Sequence, residues 1–501
     1  MPAPFYAQQF TFRQPDGSLL QVRGWGDQHY AHFETLDGYT VIRDPKTRFY
    51  HYAVISNGVL TPSGIQAGKA DPGALTITKG LRNIPGAVRS LALLSPGLPP
   101  GRQRWKQRWE AEKARRLFKG LQPAPPAHPT TGTYVGLCLL IQFPDVAGTI
   151  IKKDVSDFCN QKVYKGYGNN GSVHDYYLEN SGGKLQYTNI VSDYYTAKNP
   201  RDYYTDESFE QPLRAVELIT EALESLNNNG FDFSDLSADD QEYVYAINVF
   251  YAGEVVNNWS QGLWPHSFHL TAAVPLGPGR NAYDYQISNM GTQLSLGTFC
   301  HENGHMVCNF PDLYDYGQDS AGIGEYCLMC GGGNADKFNP VNISAYLKYK
   351  AGWAASLTPL TQQNAVPIKA GMNDFYIAKK TETEYFLMEN RQQSGRDKAL
   401  PAAGLAIWHI DEAGNQENQQ MTEAQHYECS LIQADGHHDL EHNANQGDQT
   451  DLFHASGFST FTPGGNPPAT WWDGAGSGLS ITGIGPAAPI MHFSAQFNPI
   501  V

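Results

Sequence analysis

Long apolar runs and positive charge are both scarce in this chain of 501 residues. No stretch of ~18 consecutive apolar residues occurs, so no membrane-spanning helix is predicted. Lysine and arginine number 35 against 50 acidic residues, and the formal net charge is −15. Nucleic acid is therefore not an expected partner, because its phosphates are bound by basic surfaces.

The amino terminus lacks the features of a secretory leader. Residues 1–8 contain neither the basic segment nor the apolar core that signal peptides have. This absence is compatible with three possibilities: the leader has been removed, the protein is exported by another path, or the protein stays inside the cell.

Cysteine is also scarce, and its odd count of seven leaves at least one thiol unpaired. Cys300, Cys308, Cys327 and Cys330 surround the most informative part of the chain. Their spacing does not favour a site of four thiolates. Two expectations stay open: a disulfide between Cys308 and Cys327, or small buried apolar side chains.

The length predicts two to four domains, and the apolar pattern divides the chain into four regions. Short alternating runs separated by turn signals predict a small antiparallel β domain in residues 1–82. Residues 83–130 form a proline-rich linker around a basic helix. Residues 131–360 mix helices and strands in one α+β region. Residues 361–501 are β-type, and a β-sandwich is expected. The fold class is therefore α+β.

The linker helix carries eight basic residues between Arg102 and Lys119. A nucleic-acid or membrane surface is one interpretation. We favour the other, in which Trp105, Trp109 and Leu117 pack the helix against the acidic region that follows. A segment of this kind is also a hypothetical site of proteolytic cleavage.

Three periodic segments define the catalytic region. The apolar run 134–142 predicts a central strand, and apolar residues at helical spacing predict a core-packing helix over 212–226. Ser172 suits the cap of a helix that runs to Tyr177. Residues 267–274 are expected to form an edge strand, which could pair with an extended peptide.

Residues 301–305 read His-Glu-Asn-Gly-His, the pattern H-E-x-x-H. Positions i and i+4 fall on one face of a helix, so His301 and His305 can point at one metal ion. Glu302 reaches the same side and could act as the proton acceptor for a metal-activated water. This combination is typical of zinc-dependent hydrolysis of peptide bonds.

The helix with the two histidines, expected to begin near Thr292, must end soon after them. Asn309 suits a left-handed helix stop, and the following Phe-Pro prevents continuation. Asp312 then faces back toward the histidines and is the predicted third zinc ligand. Asp315 and Glu325 are the alternatives.

A methionine in a tight turn beneath the metal is a further signature of metzincin-like zincins, and Met329 with three following glycines fits it. On these motifs the chain resembles the immune inhibitor A-like family of secreted zinc metalloproteases. The matching segments are QFPDV (142–146), YGNNGSVHDYY (167–177), GTFCHENGHM (297–306), PDLYDYG (311–317), EYCLMCGGG (325–333), SAYLKYKAGW (344–353), EYFLMENRQ (384–392), GLAIWHIDE (404–412) and QADGHHDL (433–440).

One departure from the family's commoner form lies after the second histidine. That form has glycine three residues later and then Pro-Asp, whereas this chain has Cys308 there and Pro-Asp one residue further on. We interpret this as a helix extended by one residue.

The resemblance implies a zinc-dependent endopeptidase that cleaves proteins or peptides, acts outside the cell and is made as a zymogen. It implies a zincin-like catalytic domain between an N-terminal propeptide-like domain and a C-terminal β-sandwich. Residues 1–82 contain no cysteine, so a thiolate from them cannot cap the zinc. Inhibition by this region would be steric or would use a carboxylate.

Further candidates have supporting roles. Tyr346 and His266 could steady an oxyanion, and Met329 would form an apolar floor without transferring protons. His409 and Asp411 are interpreted as structural. A segment dense in carboxylates and amides predicts a Ca²⁺ site, with a polar surface loop as the alternative. Its candidate ligands are Asp435, Asp439, Asp448 and Asp451.

Two other functions remain as alternatives. One is a binding or adhesion module with a catalytically degenerate protease domain. The other is a protease effector delivered without a signal peptide, which would use the same chemistry.

Overall fold

Four sheets and several short helices make up the part of the chain that the structure describes, which is residues 4–83, 102–119, 129–209, 211–414 and 426–498 of a computed structural model. Helices account for 20% and strands for 33%, which confirms the α+β class. No helix among the described residues is both long enough and apolar enough to cross a membrane.

The N-terminal sheet is an antiparallel meander in which each strand pairs with the next. Aromatic side chains on one face, among them Phe12, Phe33 and Tyr50, form a small core of their own. The strands are β1 (Phe5–Arg13), β2 (Leu19–Gly26), β3 (Ala31–Thr35), β4 (Thr40–Arg43), β5 (Tyr50–Ser56) and β6 (Val59–Gln66).

The predicted basic helix of the linker is present as α1 (Arg104–Lys119). Trp105 at its start is buried. The side chain of Leu117 and most of the proline-rich ends, with the hypothetical cleavage site, lie outside the described residues.

The central sheet has the order β10-β11-β9-β7-β8. Four of its strands are parallel, and β10 is antiparallel at the edge, which confirms the edge strand predicted over 267–274. The strands are β7 (Gly132–Gln142), β8 (Leu185–Thr196), β9 (Ile247–Ala252), β10 (His266–Pro275) and β11 (Asn281–Met290).

Helices cover both faces of this sheet, and alternate residues of β7 point toward opposite faces. Leu137 and Leu139 contribute to the core beneath the helix Leu213–Asn228, whereas Cys138 and Leu140 contribute to the core beneath the helix Leu296–Cys308. The helices are α2 (Lys152–Asn160), α3 (Val173–Asn180), α4 (Arg201–Tyr204), α5 (Leu213–Asn228), α6 (Leu296–Cys308), α7 (Gly333–Ala335) and α8 (Ala345–Lys350). The cap predicted at Ser172 is confirmed, since its hydroxyl accepts the N–H of Asp175.

Two sheets follow, one of five strands in the order β12-β14-β15-β16-β17 and one of three in the order β13-β19-β18. Strand β12 lies before the expected boundary at residue 360, yet it pairs with β14 in the C-terminal sheet. The strands are β12 (Ser356–Pro359), β13 (Gln363–Lys369), β14 (Asp374–Lys379), β15 (Glu384–Arg391), β16 (Gly404–Asp411), β17 (Cys429–Leu431), β18 (Leu479–Thr482) and β19 (Ile490–Phe497).

The five-stranded sheet is buried on both faces. Phe386 and Ile407 face the three-stranded sheet, whereas Leu387 and Trp408 join the same core as α6. The C-terminal sheets are therefore stacked on each other and also continuous with the apolar core behind the histidine helix.

Candidate metal centre

Helix α6 presents the two histidines and ends as the sequence predicts. Asn309 adopts the left-handed conformation (φ 56°, ψ 29°), and its N–H is bonded to the carbonyls of Gly304 and His305. The expected start near Thr292 is wrong, because the helix begins at Leu296. The chain leaves β11 only at Met290 and needs the intervening residues to turn onto the face of the sheet.

The two imidazoles converge on one point. The Nε2 atoms of His301 and His305 lie 3.2 Å apart. On the other side of each ring, Nδ1 lies 2.9 Å from the carbonyl of Leu328 for His301 and 2.5 Å from that of Phe310 for His305. Since a carbonyl only accepts, each Nδ1 carries the proton, and the Nε2 lone pairs face each other.

Asp312 completes a triangle of ligand atoms. Its Oδ1 lies 3.0 Å from Nε2 of His301 and 3.2 Å from Nε2 of His305. Ligands about 2.0–2.1 Å from a tetrahedral zinc ion are separated by roughly 3.3 Å, so the three atoms fit one such ion. Asp312 Oδ1 is buried and has no hydrogen-bond donor. A buried oxygen without a donor beside two lone pairs is the environment that a cation satisfies.

The charges of the site are strongly coupled. Burial alone would lower the pKa of His301, but Asp312 and Glu302 raise it to about 9. Burial opposes ionisation of Asp312, yet the two histidines hold its pKa well below the usual value. Both shifts show that negative charge on Asp312 and positive charge at the imidazole position attract each other across this site.

Glu302 lies beside the triangle without belonging to it. Its Oε1 is 3.9 Å from Nε2 of His301, and its side chain is almost completely buried. With His301 and His305 it forms a cluster whose ligand atoms lie within 4.8 Å of one another. Burial raises the pKa of Glu302, which helps a carboxylate to accept a proton and return it.

Met329 packs directly against the helix between the two histidines. A Cβ atom on Gly304 would lie 2.6 Å from its sulfur, so residue 304 has no room for a side chain. Met329 belongs to a buried turn (Leu328–Gly332), and the same turn supplies the Leu328 carbonyl that orients His301. The structure places Met329 where an apolar floor was expected.

Tyr316 was not predicted and lies next to the site. Its hydroxyl donates to Asp312 Oδ2 at 2.6 Å, which leaves Oδ1 for the histidine side. The sequence offered one signal, because Tyr316 follows Asp312 by four residues in the PDLYDYG segment.

The alternative third ligands have other surroundings. The carboxylate of Asp315 accepts N–H groups of its own loop, from Gly317, Asp319 and Ser320. Glu325 lies beside the Met329 turn and lines a separate cavity. Neither forms an ion pair with the histidines among the described contacts.

The two candidates for steadying an oxyanion are directed elsewhere, which corrects that expectation. Tyr346 is buried and donates its hydroxyl to Glu428. His266 Nε2 lies 2.9 Å from the hydroxyl of Tyr285, and its Nδ1 contacts the carbonyl of Trp264. The direction of the His266 side chain follows from strand alternation, because adjacent side chains on β10 point to opposite faces of the sheet.

The remaining polar candidates are structural in their contacts. His409 pairs with Glu384 at 3.2 Å, and Asp411 pairs with His426 at 2.8 Å.

The predicted disulfide between Cys308 and Cys327 is wrong. All seven cysteines are free and buried, which matches the alternative expectation of small apolar side chains.

Helix α1 lies over the candidate metal centre. The indole of Trp105 stacks on the imidazole of His305, with ring centres 4.4 Å apart and planes at 22°. Asp284 accepts the first N–H groups of the helix, those of Arg104 and Trp105, at 2.7 and 3.0 Å. A cavity of about 390 Å³ lies between this helix and residues 311–316.

Two arginines hold α1 in place. Arg104 and Arg108 both pair with Asp239, at 2.9 and 3.1 Å. Arg108 also donates to the side chain of Asn309 and to the carbonyl of Met306, at the end of α6. The helix is thus bonded to the same turn that ends the histidine helix.

The loop between β2 and β3 occupies the edge strand beside the site. The side chain of Gln28 accepts the N–H of Ser267 at 2.8 Å and donates to its carbonyl at 3.1 Å. These are the two main-chain groups that an added strand would use. We call α1 and residues 27–30 together the cover.

Comparison with known proteins finds no family model that matches this chain and no match among curated proteins.

Proposed function

We propose that this protein is a zinc-dependent endopeptidase with a zincin-like catalytic domain, similar to the immune inhibitor A-like proteases. The observation that carries the proposal is the triangle of His301 Nε2, His305 Nε2 and Asp312 Oδ1, with separations of 3.0 to 3.2 Å and a buried oxygen that lacks a donor. The donor set of two imidazoles and one carboxylate suits zinc.

Zinc bound there would supply Lewis acidity, which polarises a scissile carbonyl and makes water more acidic. Glu302 would accept the proton of the attacking water and deliver it to the leaving amine. The carbonyls of Leu328 and Phe310 keep both histidines in the tautomer that presents Nε2 to the metal. Tyr316 holds Asp312 by one oxygen and so orients the other.

A protein or peptide is the substrate class that the surroundings favour. Strand β10 is at the sheet edge, and Gln28 already bonds both main-chain groups of Ser267. An extended peptide would make the same pair of bonds and lie beside the metal position.

Because the cover blocks the site, we also propose that the protease is latent until the cover moves. Trp105 stacks on a metal ligand, and Gln28 occupies the place of a substrate strand. Both must move before a peptide can bind, so the full chain is expected to be a zymogen. Action outside the cell is proposed from the family resemblance.

The test combines metal analysis with digestion of casein, in the wild type and with the cover weakened by Trp105→Ala. Glu302→Gln should keep one zinc per chain and lose at least ~10²-fold in rate, because the general base is lost while the ligands remain. His301→Ala should lose the zinc as well. Glu325→Gln, at a glutamate beside the Met329 turn, is the matched control and should cleave normally.

Full activity in Glu302→Gln would refute the role of this residue. A chain that holds zinc but cleaves nothing, even when Trp105→Ala is combined with Gln28→Ala, would instead favour the binding module.

A further inference from the structure

A second group of carboxylates lies in the segment 435–451, which we call the acidic loop. Asp435, Asp448 and Asp451 each offer an oxygen, and these three oxygens lie within 4.8 Å of one another. The loop follows β17 and packs against the turn that precedes Met329. The proposed peptidase chemistry does not use these residues.

Asp451 is the buried member of the group, with 1% of its surface exposed. Its Oδ2 accepts the hydroxyl of Tyr326 at 2.9 Å and the N–H of Asp448 at 2.7 Å. Its Oδ1 is buried and has no partner. An unpartnered carboxylate oxygen close to two further carboxylates calls for a positive ligand.

The protein supplies little charge of its own to the group. Among the described ion pairs, the carboxylate group is paired with His437, whose Nδ1 lies 3.1 Å from Asp435 Oδ2 and whose side chain is largely exposed. The hydroxyl of Thr450 lies 2.5 Å from Asp435 Oδ2 and 2.6 Å from Asp448 Oδ1, but it has a single proton to donate. One of these two oxygens therefore remains without that proton.

We propose that Asp435, Asp448 and Asp451 bind a calcium ion. The cluster consists of three carboxylates, and the one imidazole near it, that of His437, pairs with Asp435 from the exposed side. A group of carboxylate oxygens is a hard site, which suits calcium better than zinc. Asp439 was expected to contribute but lies outside the cluster. Its Oδ2 faces the side-chain amide of Asn445 at 3.3 Å.

The site has a structural path to the candidate metal centre. Hydrogen bonds join the acidic loop to the segment before Met329, among them those from Tyr326 to Asp451, from the N–H of Glu325 to the carbonyl of Gln446, and from the N–H of Ala321 to the carbonyl of Leu440. Tyr326 leads directly into the turn whose Leu328 carbonyl holds His301. Calcium would fix the loop and, through it, the orientation of one zinc ligand. This coupling rests on the proposed function.

The experiment titrates calcium chloride into the full chain after treatment with EGTA, by calorimetry and by thermal unfolding. We expect one calcium per chain and a higher Tm in its presence. Asp451→Asn and Asp435→Asn should each weaken binding at least tenfold and remove the Tm response. Asp439→Asn, in the same loop but outside the cluster, is the matched control and should bind within twofold of the wild type.

Failure to bind calcium at ~1 mM, the weak end of protein calcium sites, would overturn the inference. Unchanged affinity in Asp435→Asn would do the same, and that variant keeps the test available if Asp451→Asn does not fold.

The titration is repeated in Glu302→Gln, which is expected to lack cleavage. Calcium binding there as in the wild type makes the result independent of proteolysis. In the chain whose cover is weakened by Trp105→Ala, absent cleavage with intact calcium binding would count against the proposed function, and absent calcium binding would count against this inference. For the coupling, calcium should slow the loss of zinc to a chelator severalfold, and an unchanged rate would refute it.

Discussion

The two β regions that flank the histidine helix are attached to the centre of the molecule in different ways. The N-terminal sheet has its own small core, to which the central region adds little beyond Trp259. The cover that joins it to the site is held by arginine pairs, caps and side-chain amides. The C-terminal sheet instead inserts Leu387 and Trp408 into the core that also contains α6.

This difference separates a removable part from a permanent one. These polar contacts are largely buried. Their net contribution to the free energy of docking is nevertheless small, because water replaces them when the cover moves away. A shared apolar core cannot open without exposing its surface to water. We therefore expect the N-terminal region to move away as a unit and the C-terminal sheets to remain with the central region.

The largest effect is expected from Trp408→Ala, which removes a fully buried indole from the shared core. A cavity of this kind costs about 3–5 kcal/mol of unfolding free energy. Trp25→Ala, at a half-buried tryptophan of the N-terminal sheet, is the comparison and should cost clearly less. Urea unfolding followed by circular dichroism measures both.

If the two variants lost equal stability, the contrast between a shared core and a separate one would be wrong.

The second-largest effect is expected from acid, which should destabilise the N-terminal sheet more than the C-terminal sheets. Burial and Arg82 lower the pKa of His32 from 6.5 to about 3 in the folded N-terminal sheet. Between about pH 3 and pH 6.5, His32 binds a proton in the unfolded sheet but not in the folded one. The contribution of neutral His32 to the free energy of unfolding is therefore fully present above pH 6.5 and is lost as the pH falls. The loss at pH 5 is about 2 kcal/mol.

Hydrogen exchange at pH 7.5 and pH 5, corrected for intrinsic rates, can locate this loss. Protection should fall in β1–β6 and stay higher in β14–β16. His32→Phe keeps a ring beside Trp25, which stacks on His32 at 5.0 Å, but cannot be protonated. That variant should be less sensitive to acid, and an unchanged sensitivity would assign the effect to another group.

The smallest effect is expected from loosening the cover alone. Trp105→Ala removes the ring stacked on His305, a contact contributing about 0.5–1.5 kcal/mol beyond burial. Casein cleavage by the full chain should rise roughly 2- to 10-fold, because the closed position of the cover loses this contact. Lower activity would show that Trp105 supports the site instead of covering it.

Asn309→Gly is a milder version of the same test. Glycine keeps the left-handed helix stop but removes the oxygen that accepts from Arg108. Activity should rise by less than in Trp105→Ala.

Local pattern was sufficient for much of the fold. The buried run of β7, the cap at Ser172 and the stop at Asn309 are set by neighbours in the chain, so the sequence predicted each of them. Strand β12 was missed because a four-residue strand has too few positions to show alternation, and it is defined by its pairing with β14.

The sequence by itself determined the pair of imidazoles one helical turn apart, with Glu302 between them, because helix periodicity fixes that geometry. It could not determine which oxygen meets them, that Trp105 covers them, or that Tyr346 and His266 point elsewhere. Those facts depend on contacts between residues far apart in the chain, such as Trp105 and His305. Only the packing of helices and sheets around a common core decides such contacts.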